Sequence, residues 1–478
     1  MGTVLFQHAL RIATMNDRRE KIPDGFVLVR ENVIEKIGSG NFEGQADRVI
    51  EAAGKILLPG FVNCHHHLYQ TLTRNLPEVQ DVSLFDWLVR LYEVWRELTL
   101  EGVYTSTKVG LAELLLSGCT TTSDHLYLVP RGVEAIHDEE IRAAREMGIR
   151  FQPTRGSMSR GRSQGGLPPD DVVQGEVEVM RDCERVVSRY HDAAKFSMCR
   201  IALAPCSPFS VTIELMKSTI QFARQHGLRV HTHLAETSDE EGYCQKTYSC
   251  RPVELMQSLG WLGPDVWFAH CVHLNHAEVD LFARTGTGVA HCPTSNMRLG
   301  SGIAPIPELV GGGAPVGLAV DGSASNDTSN FLAEIRQALL LHRLPEARKG
   351  RGGVLGNEPV ASIPWMSAED VLWMATRGGA RVLGCADEIG SIEEGKAADL
   401  VLIDMNQLSF AGAMSDPLAA VVFSQSSNAV HTTMVNGKIV VEAGKILNQD
   451  LNALVQSQNR LSAEMLSRSR KKSPESAR

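Results

Sequence analysis

No stretch of the 478-residue chain approaches the roughly 20 consecutive apolar residues that a membrane-crossing helix needs. A membrane partner is therefore not expected. An excess of positive charge is missing as well: the formal net charge is -9, and the one compact basic cluster, SRSRKK from Ser467, lies outside the periodic segments. Polyanion binding needs a basic face, so nucleic acid is not expected as a partner, and this tail reads as a solvated end. The ten cysteines form neither a C-x-x-C pair nor a compact disulfide rhythm, which fits reduced thiols. The opening residues, MGTVLFQHALRIATMNDRRE, lack a basic start followed by a long apolar core, and Phe6 stands where a myristoylation signal wants Ser or Thr. These absences make a cytoplasmic location the expectation. Internal repeats are absent too, and Gly311, Gly312 and Gly313 do not extend to a G-x-G-x-x-G loop, so they read as a turn.

What is present is ordinary globular material, with 43% hydrophobic and 22% charged residues, in a length that suits one large barrel and a smaller companion. From Val4 to Leu58 the texture is short and β-like, and it returns in GKAADLVLIDM and VHTTMVNGKIVVEAGK, where a Val-Asn-Gly-Lys turn joins two apolar runs. Between these ends, helical stretches such as VYTSTKVGLAELLLSG, IELMKSTIQFARQHG and AEVDLFARTG alternate with apolar strands such as RIALAP, LRVHTHLAE, DVWFAHC, GTGVAHCP and PVGLAVDG. That alternation marks a parallel sheet. Gly118, Gly227 and Gly286 follow helical runs and suit left-handed caps. The expected fold class is α/β, a (β/α)8 barrel with a small β-sandwich domain formed by both chain ends; a doubly wound open sheet is the alternative. Residues 1–58 and 390–450 would form the composite β domain, 59–389 the barrel, and 451–478 a C-terminal helix and tail packed on the barrel or on a partner. The Gly- and Arg-rich segment from Leu344 to Pro364 reads as a flexible surface loop.

Catalytic groups of a parallel barrel come from the carboxyl ends of its strands. The run LPGFVNCHHHLYQ places His65, His66 and His67 at such an end, and a period of two aims His65 and His67 one way and His66 the other. Two imidazoles on one inward face suit a metal. LRVHTHLAE repeats the spacing with His231 and His233 and adds Glu236; DVWFAHC ends in His270, and Asp321 closes the apolar run of PVGLAVDG. Imidazoles and a carboxylate delivered from four strand ends are hard to explain by packing alone, because uncompensated buried charge costs several kcal/mol. A cation would compensate it. His66 and His231 read as packed core residues.

The motifs PGFVNCHHH, HTHLAE, AHC and AVDGSASND, together with GKAADLVLID, resemble the amidohydrolase superfamily over nearly the whole chain, in the branch of cytosine and guanine deaminases and triazine hydrolases. The resemblance implies one divalent metal, Zn²⁺ or Fe²⁺ with zinc preferred, held by His65, His67, His233 and Asp321. It further implies that Asp321 and His270 direct the protons of the attacking water and that Glu236 carries a proton to the ring nitrogen and then to the leaving amine. Relatives in this branch are often dimers or larger, so a homo-oligomer is expected. Gln70, three residues past the metal pair, has an amide suited to a lactam edge. Arg155 and Cys206 lie at further strand ends, as substrate contacts or, for Arg155 equally, as a pin for a loop. The stretches FQPTRGSMSRGRSQGGLPPDDVVQ and LAPCSPFSVT resemble the 8-oxoguanine deaminase group of the branch, which implies a purine or pterin-like substrate. The implied reaction converts 8-oxoguanine and water to urate and ammonia. Isoxanthopterin, guanine, cytosine or triazine amines and chlorides are the alternatives.

Overall fold

The computed structural model describes residues 2–344, 366–424 and 429–472, with two short paired strands at Val354–Leu355 and Glu358–Pro359. Apart from Leu344 and that pair, the loop expected over Leu344–Pro364 lies outside the described residues.

Eight parallel strands form the central sheet: β1 (Phe61–Asn63), β2 (Cys119–Leu126), β3 (Arg150–Ser157), β4 (Ala202–Pro205), β5 (Val230–Leu234), β6 (Val266–His270), β7 (Gly288–His291) and β8 (Val316–Leu318). They neighbour one another in chain order. The ring closes between last and first, where Cys64 N–H donates to Leu318 O at 3.0 Å and Asp321 N–H to His65 O at 3.2 Å. This is the barrel rather than the open sheet. Every residue of β2 and β3 is buried, as expected for strands covered on both faces.

Local sequence sets the helix limits. Thr99 accepts the Gly102 N–H at 3.0 Å and so caps the helix Leu100–Leu116, which Gly118 leaves at φ 88°. Gly227 and Gly286 are left-handed in the same way, at φ 65° and 69°. Gly311 ends a short helix, and the chain turns through Gly312 and Gly313 before β8.

Both chain ends meet in one nine-stranded sheet, antiparallel except where Thr3–Ala13 runs beside Arg48–Glu51 and Lys55–Pro59. Its centre joins the two ends: Lys55–Pro59 pairs with Leu400–Asp404, from Leu400 opposite Pro59 to Asp404 opposite Lys55. Lys55–Pro59 then runs through Gly60 straight into β1, so the sheet fixes where the first histidine-bearing strand begins. A buried ion pair ties sheet to barrel. Arg150, the first residue of β3, donates to Asp399 at 2.9 and 3.2 Å, and to the carbonyls of Phe196 and Ser197.

The C-terminal helix spans Leu451–Lys472 and packs on the barrel, against Leu100–Leu116 and the turn Leu68–Thr73 that follows the histidines. Gln458 donates to Thr71 Oγ1 at 3.0 Å and Ser462 to Leu72 O at 2.6 Å.

Asp399→Ala strips the buried Arg150 guanidinium of its counter-charge. The expected loss is about 3–5 kcal/mol of stability, read from chemical denaturation. A loss below about 1 kcal/mol, the range of exposed pairs, would show that the pair does not bind sheet to barrel.

Candidate active site

At the carboxyl end of the barrel the strand ends converge. His65, His67, His233, His270, Asp321 and Glu236 are all buried or nearly so, and His67, His233, Glu236, His270 and Asp321 line one tight cavity of about 30 Å³. The first two histidines lie just past β1, which ends at Asn63, yet keep the expected alternation: His66 turns away to Ser329 Oγ at 2.9 Å.

The proton positions on the three facing imidazoles follow from their partners. Nδ1 of His67 lies 2.7 Å from the His125 carbonyl, and Nδ1 of His233 lies 2.6 Å from that of Cys206. A carbonyl only accepts, so both Nδ1 atoms carry the proton and both Nε2 atoms present lone pairs. His65 reaches the same state in two steps. His231 Nδ1 donates to Trp267 O at 2.9 Å, and burial lowers the His231 pKa to about 3, so that ring is neutral and its Nε2 is an acceptor. His65 Nδ1 must therefore donate to it across 2.7 Å, which leaves His65 Nε2 unprotonated and without a hydrogen-bond partner. Burial holds all three facing rings neutral, with pKa values below the usual imidazole range.

These lone pairs point at one another. His67 Nε2 and His233 Nε2 are 3.1 Å apart, and Asp321 Oδ1 lies 3.3 Å from His65 Nε2 and 3.4 Å from His67 Nε2. Burial would raise the Asp321 pKa, but the charge of the neighbouring His270 opposes it and the carboxyl stays well below its usual range. Three neutral nitrogens and one anionic oxygen in a dry pocket repel one another unless a cation sits among them. The donor set, imidazole with carboxylate, fits zinc or iron(II).

The second half of the site faces this cluster. His270 Nδ1 meets Asn296 Oδ1 at 2.9 Å, while its Nε2 lies 3.7 Å from Glu236 Oε2 and 3.9 Å from Asp321 Oδ2. Burial would lower the His270 pKa, but the charges of Glu236 and Asp321 raise it instead. For Glu236 burial dominates and pushes its pKa up to about 7. That carboxyl is held by its backbone: Glu240 accepts the N–H groups of both Ala235 and Glu236 at 2.9 Å. The turns that aim these groups are left-handed, with φ 52° at Ala235, 71° at His270 and 63° at Asp321. Each non-glycine residue there costs on the order of 1–2 kcal/mol.

Gln70 and Cys206 also line the cavity. Gln70 Oε1 accepts the Ala324 N–H at 3.3 Å, and a Cβ on Gly322 would come within 1.9 Å of that oxygen, so only glycine lets the amide lie there. Arg155 is a correction. Its guanidinium binds Asp182 at 2.7 Å, Gln174 at 2.8 Å and the Gly156 carbonyl, and it does not line the cavity. A fully buried guanidinium needs a carboxylate, and the helix Glu176–Tyr190 supplies one on the far side of β3. Arg155 pins that helix.

Several contributors had no signal at a strand end that the sequence reading used. His125 belongs to the same imidazole group, with its ring stacked on His233 at 4.8 Å, Nε2 donating to Ala204 O at 2.9 Å and Nδ1 unpartnered. Its place near the end of β2, in SDHLYL, was the available sign. Trp87, from the helix Leu84–Trp95, covers the cavity with its Nε1 buried and unpartnered.

Eight strands closed in chain order, a flanking sheet and this donor cluster define the class. The chain belongs to the amidohydrolase family, whose model matches residues 56–440. It is 46% identical to the 8-oxoguanine deaminase of Pseudomonas aeruginosa, over 90% of this chain and 92% of that protein. An isoxanthopterin deaminase from an unknown prokaryotic organism is 35% identical, over 94% of each chain. Among solved structures, the atrazine chlorohydrolase of Arthrobacter aurescens TC1 complexed with zinc superposes with a TM-score of 0.88 at 31% identity, covering 96% of this chain and 100% of that one.

The tautomer chain assigns His231 a distinct role. His233→Ala should cut Zn²⁺ affinity by more than about 100-fold, whereas His231→Phe, which removes only the acceptor for His65, should cost about 10–100-fold. Competition with a chromophoric chelator measures both. Unchanged affinity in the His231 variant would break the inferred order of protons.

Proposed function

We propose that this protein is a metal-dependent ring deaminase that converts 8-oxoguanine and water to urate and ammonia. The observation that carries the reading is a carboxyl poised near neutrality, Glu236, standing across one cavity from a cluster of neutral imidazoles and an ionised carboxylate. A general acid with its pKa near 7 is suited to protonating a ring nitrogen and an amine. In this reading His65, His67, His233 and Asp321 hold one divalent cation, zinc by preference. When bound, it lowers the pKa of a coordinated water from about 15.7 to about 7.

The chain's own groups then move the protons. As the water oxygen bonds to the amino-bearing ring carbon, Asp321 Oδ2 or His270 Nε2 takes one water proton and Glu236 gives its proton to the adjacent ring nitrogen. Glu236 next passes the remaining hydroxyl proton to the amino group, the carbon–nitrogen bond breaks, and ammonia leaves behind a carbonyl. The proton stored at His270 Nε2 returns to Glu236 Oε2, 3.7 Å away, and the acid is restored. Asn296 holds the His270 ring for that transfer.

The cavity wall favours a ring rich in carbonyls. Gln70 offers its amide to the lactam edge. Burial pushes the Cys206 thiol up to about 12, so it stays an S–H donor beside the additional oxo group, and the Trp87 Nε1–H is a further buried donor in need of an acceptor. The similarity to an 8-oxoguanine deaminase supports this choice. The similarity to an isoxanthopterin deaminase and to a triazine hydrolase sets the competing substrates for the test.

Ammonia release measured over 8-oxoguanine, isoxanthopterin, guanine, cytosine and hydroxylated triazines should be fastest with 8-oxoguanine. No ammonia from 8-oxoguanine with turnover elsewhere in the panel contradicts the substrate while leaving the chemistry intact. In Glu236→Gln, kcat should fall by about 10²–10⁴ with bound metal unchanged. Cys206→Ala should narrow the preference for 8-oxoguanine over guanine, and an unaltered preference removes the thiol from substrate recognition.

A further inference from the structure

At the opposite end of the barrel, where the strands begin, lies a second cavity of about 510 Å³. Its wall comes from the starts of four consecutive strands: Gln152 in β3, Ile201 just before β4, Arg229 just before β5 and Asp265 just before β6. Arg200, Arg224 and His191 complete it. Two of the three guanidiniums are neutralised. Arg200 meets Glu388 at 2.7 and 2.9 Å, and Arg224 meets Asp265 at 2.8 and 3.3 Å.

Arg229 is not. One of its nitrogens donates to Val382 O at 2.6 Å, no carboxylate pairs with it among the described residues, and its buried Nε has no acceptor. Two further donors face the same space. Gln152 is 6% exposed and its amide makes no hydrogen bond among the described residues. Ile201 N–H donates to His191 Nδ1 at 3.1 Å, which places the ring proton on Nε2 as a donor that nothing accepts. Arg229 is half-buried over the Trp267 ring, its buried Nε lacks an acceptor, and two further donors without acceptors line the same cavity, so the wall offers an anion a set of free donors.

The geometry points to an anion-binding site for a small phosphate-bearing molecule, its oxygens accepting from Arg229, Gln152 and His191. A planar carboxylate is satisfied by one guanidinium fork. Donors arriving from three separate elements suit the oxygens of a tetrahedral group instead. The site is independent of the catalytic mouth and of any reading of the reaction.

Calorimetric titration of the metal-loaded enzyme with inorganic phosphate at constant ionic strength tests it. The wild type should show one saturable site per chain and a melting temperature that climbs with phosphate concentration. Arg229→Gln should bind at least about 10-fold more weakly, since it loses a charge-assisted donor. His233→Ala, which loses the metal, should bind phosphate as the wild type does, which separates this cavity from the metal centre. Should Arg229→Gln fail to fold, Gln152→Ala carries the same comparison, with a several-fold loss expected. No saturation up to about 20 mM phosphate, or equal binding by wild type and both cavity variants, overturns the proposal. Equal binding of succinate and phosphate overturns the choice of a tetrahedral anion.

Discussion

The site depends on one electrostatic constraint: three imidazole lone pairs and a carboxylate oxygen are fixed face to face with no proton between them. Ordinary backbone bonding imposes it. Carbonyls of His125 and Cys206 take the Nδ1 protons of His67 and His233, and the relay Trp267 O, His231, His65 does the same for the third ring. Each tautomer is set by a group that can only accept, so the repulsion is built in by the strands. A divalent cation turns that repulsion into binding, in the way that ligating histidines are generally held by a hydrogen bond at the other ring nitrogen.

The remainder of the architecture serves the placement of those atoms. Lys55–Pro59 belongs to the sheet made from both chain ends and continues into β1, so the position of His65 and His67 is set by pairing with Leu400–Asp404 far along the chain. The hydrogen bonds Cys64 to Leu318 and Asp321 to His65 close the barrel at the level where these donor atoms meet. Left-handed turns at Ala235, His270 and Asp321 carry backbone strain that the surrounding hydrogen bonds hold in place, as is common where side chains are aimed at a reaction. On the other side of the cavity Glu240, itself buried with its pKa raised to about 7, grips two N–H groups and presents Glu236 to the space above His270.

Much of this was legible in the sequence, because strand period and strand ends are local properties. An apolar run followed by HHH, HTHLAE, AHC and AVDG announces inward-facing groups at the mouth of a barrel, and alternation turns His66 away from them; His231 shares the face of His233 and differs only in lying deeper along the strand, where it meets His65. What was not legible depends on pairing across the fold. Arg155 stands at a strand end like the others, yet Asp182, 27 residues later, draws its guanidinium away from the cavity. Asn296 reaches the site from a helix through a contact that no spacing in the chain reveals, whereas His125 had only its place near the end of β2 to mark it. The same holds for Arg229, whose significance is the absence of a paired carboxylate and of an acceptor at Nε among the described residues rather than any motif.

The central claim is that the converging lone pairs are a cation site and that the backbone has already chosen the ligand atoms. Anomalous diffraction from crystals grown with one equivalent of Zn²⁺, recorded on both sides of the zinc absorption edge, examines it most directly. The account predicts a single peak about 2.0–2.2 Å from the Nε2 atoms of His65, His67 and His233 and from a carboxylate oxygen of Asp321. A peak bound through Nδ1 of any of these rings, or no peak among them in a crystal that holds zinc elsewhere, would contradict it.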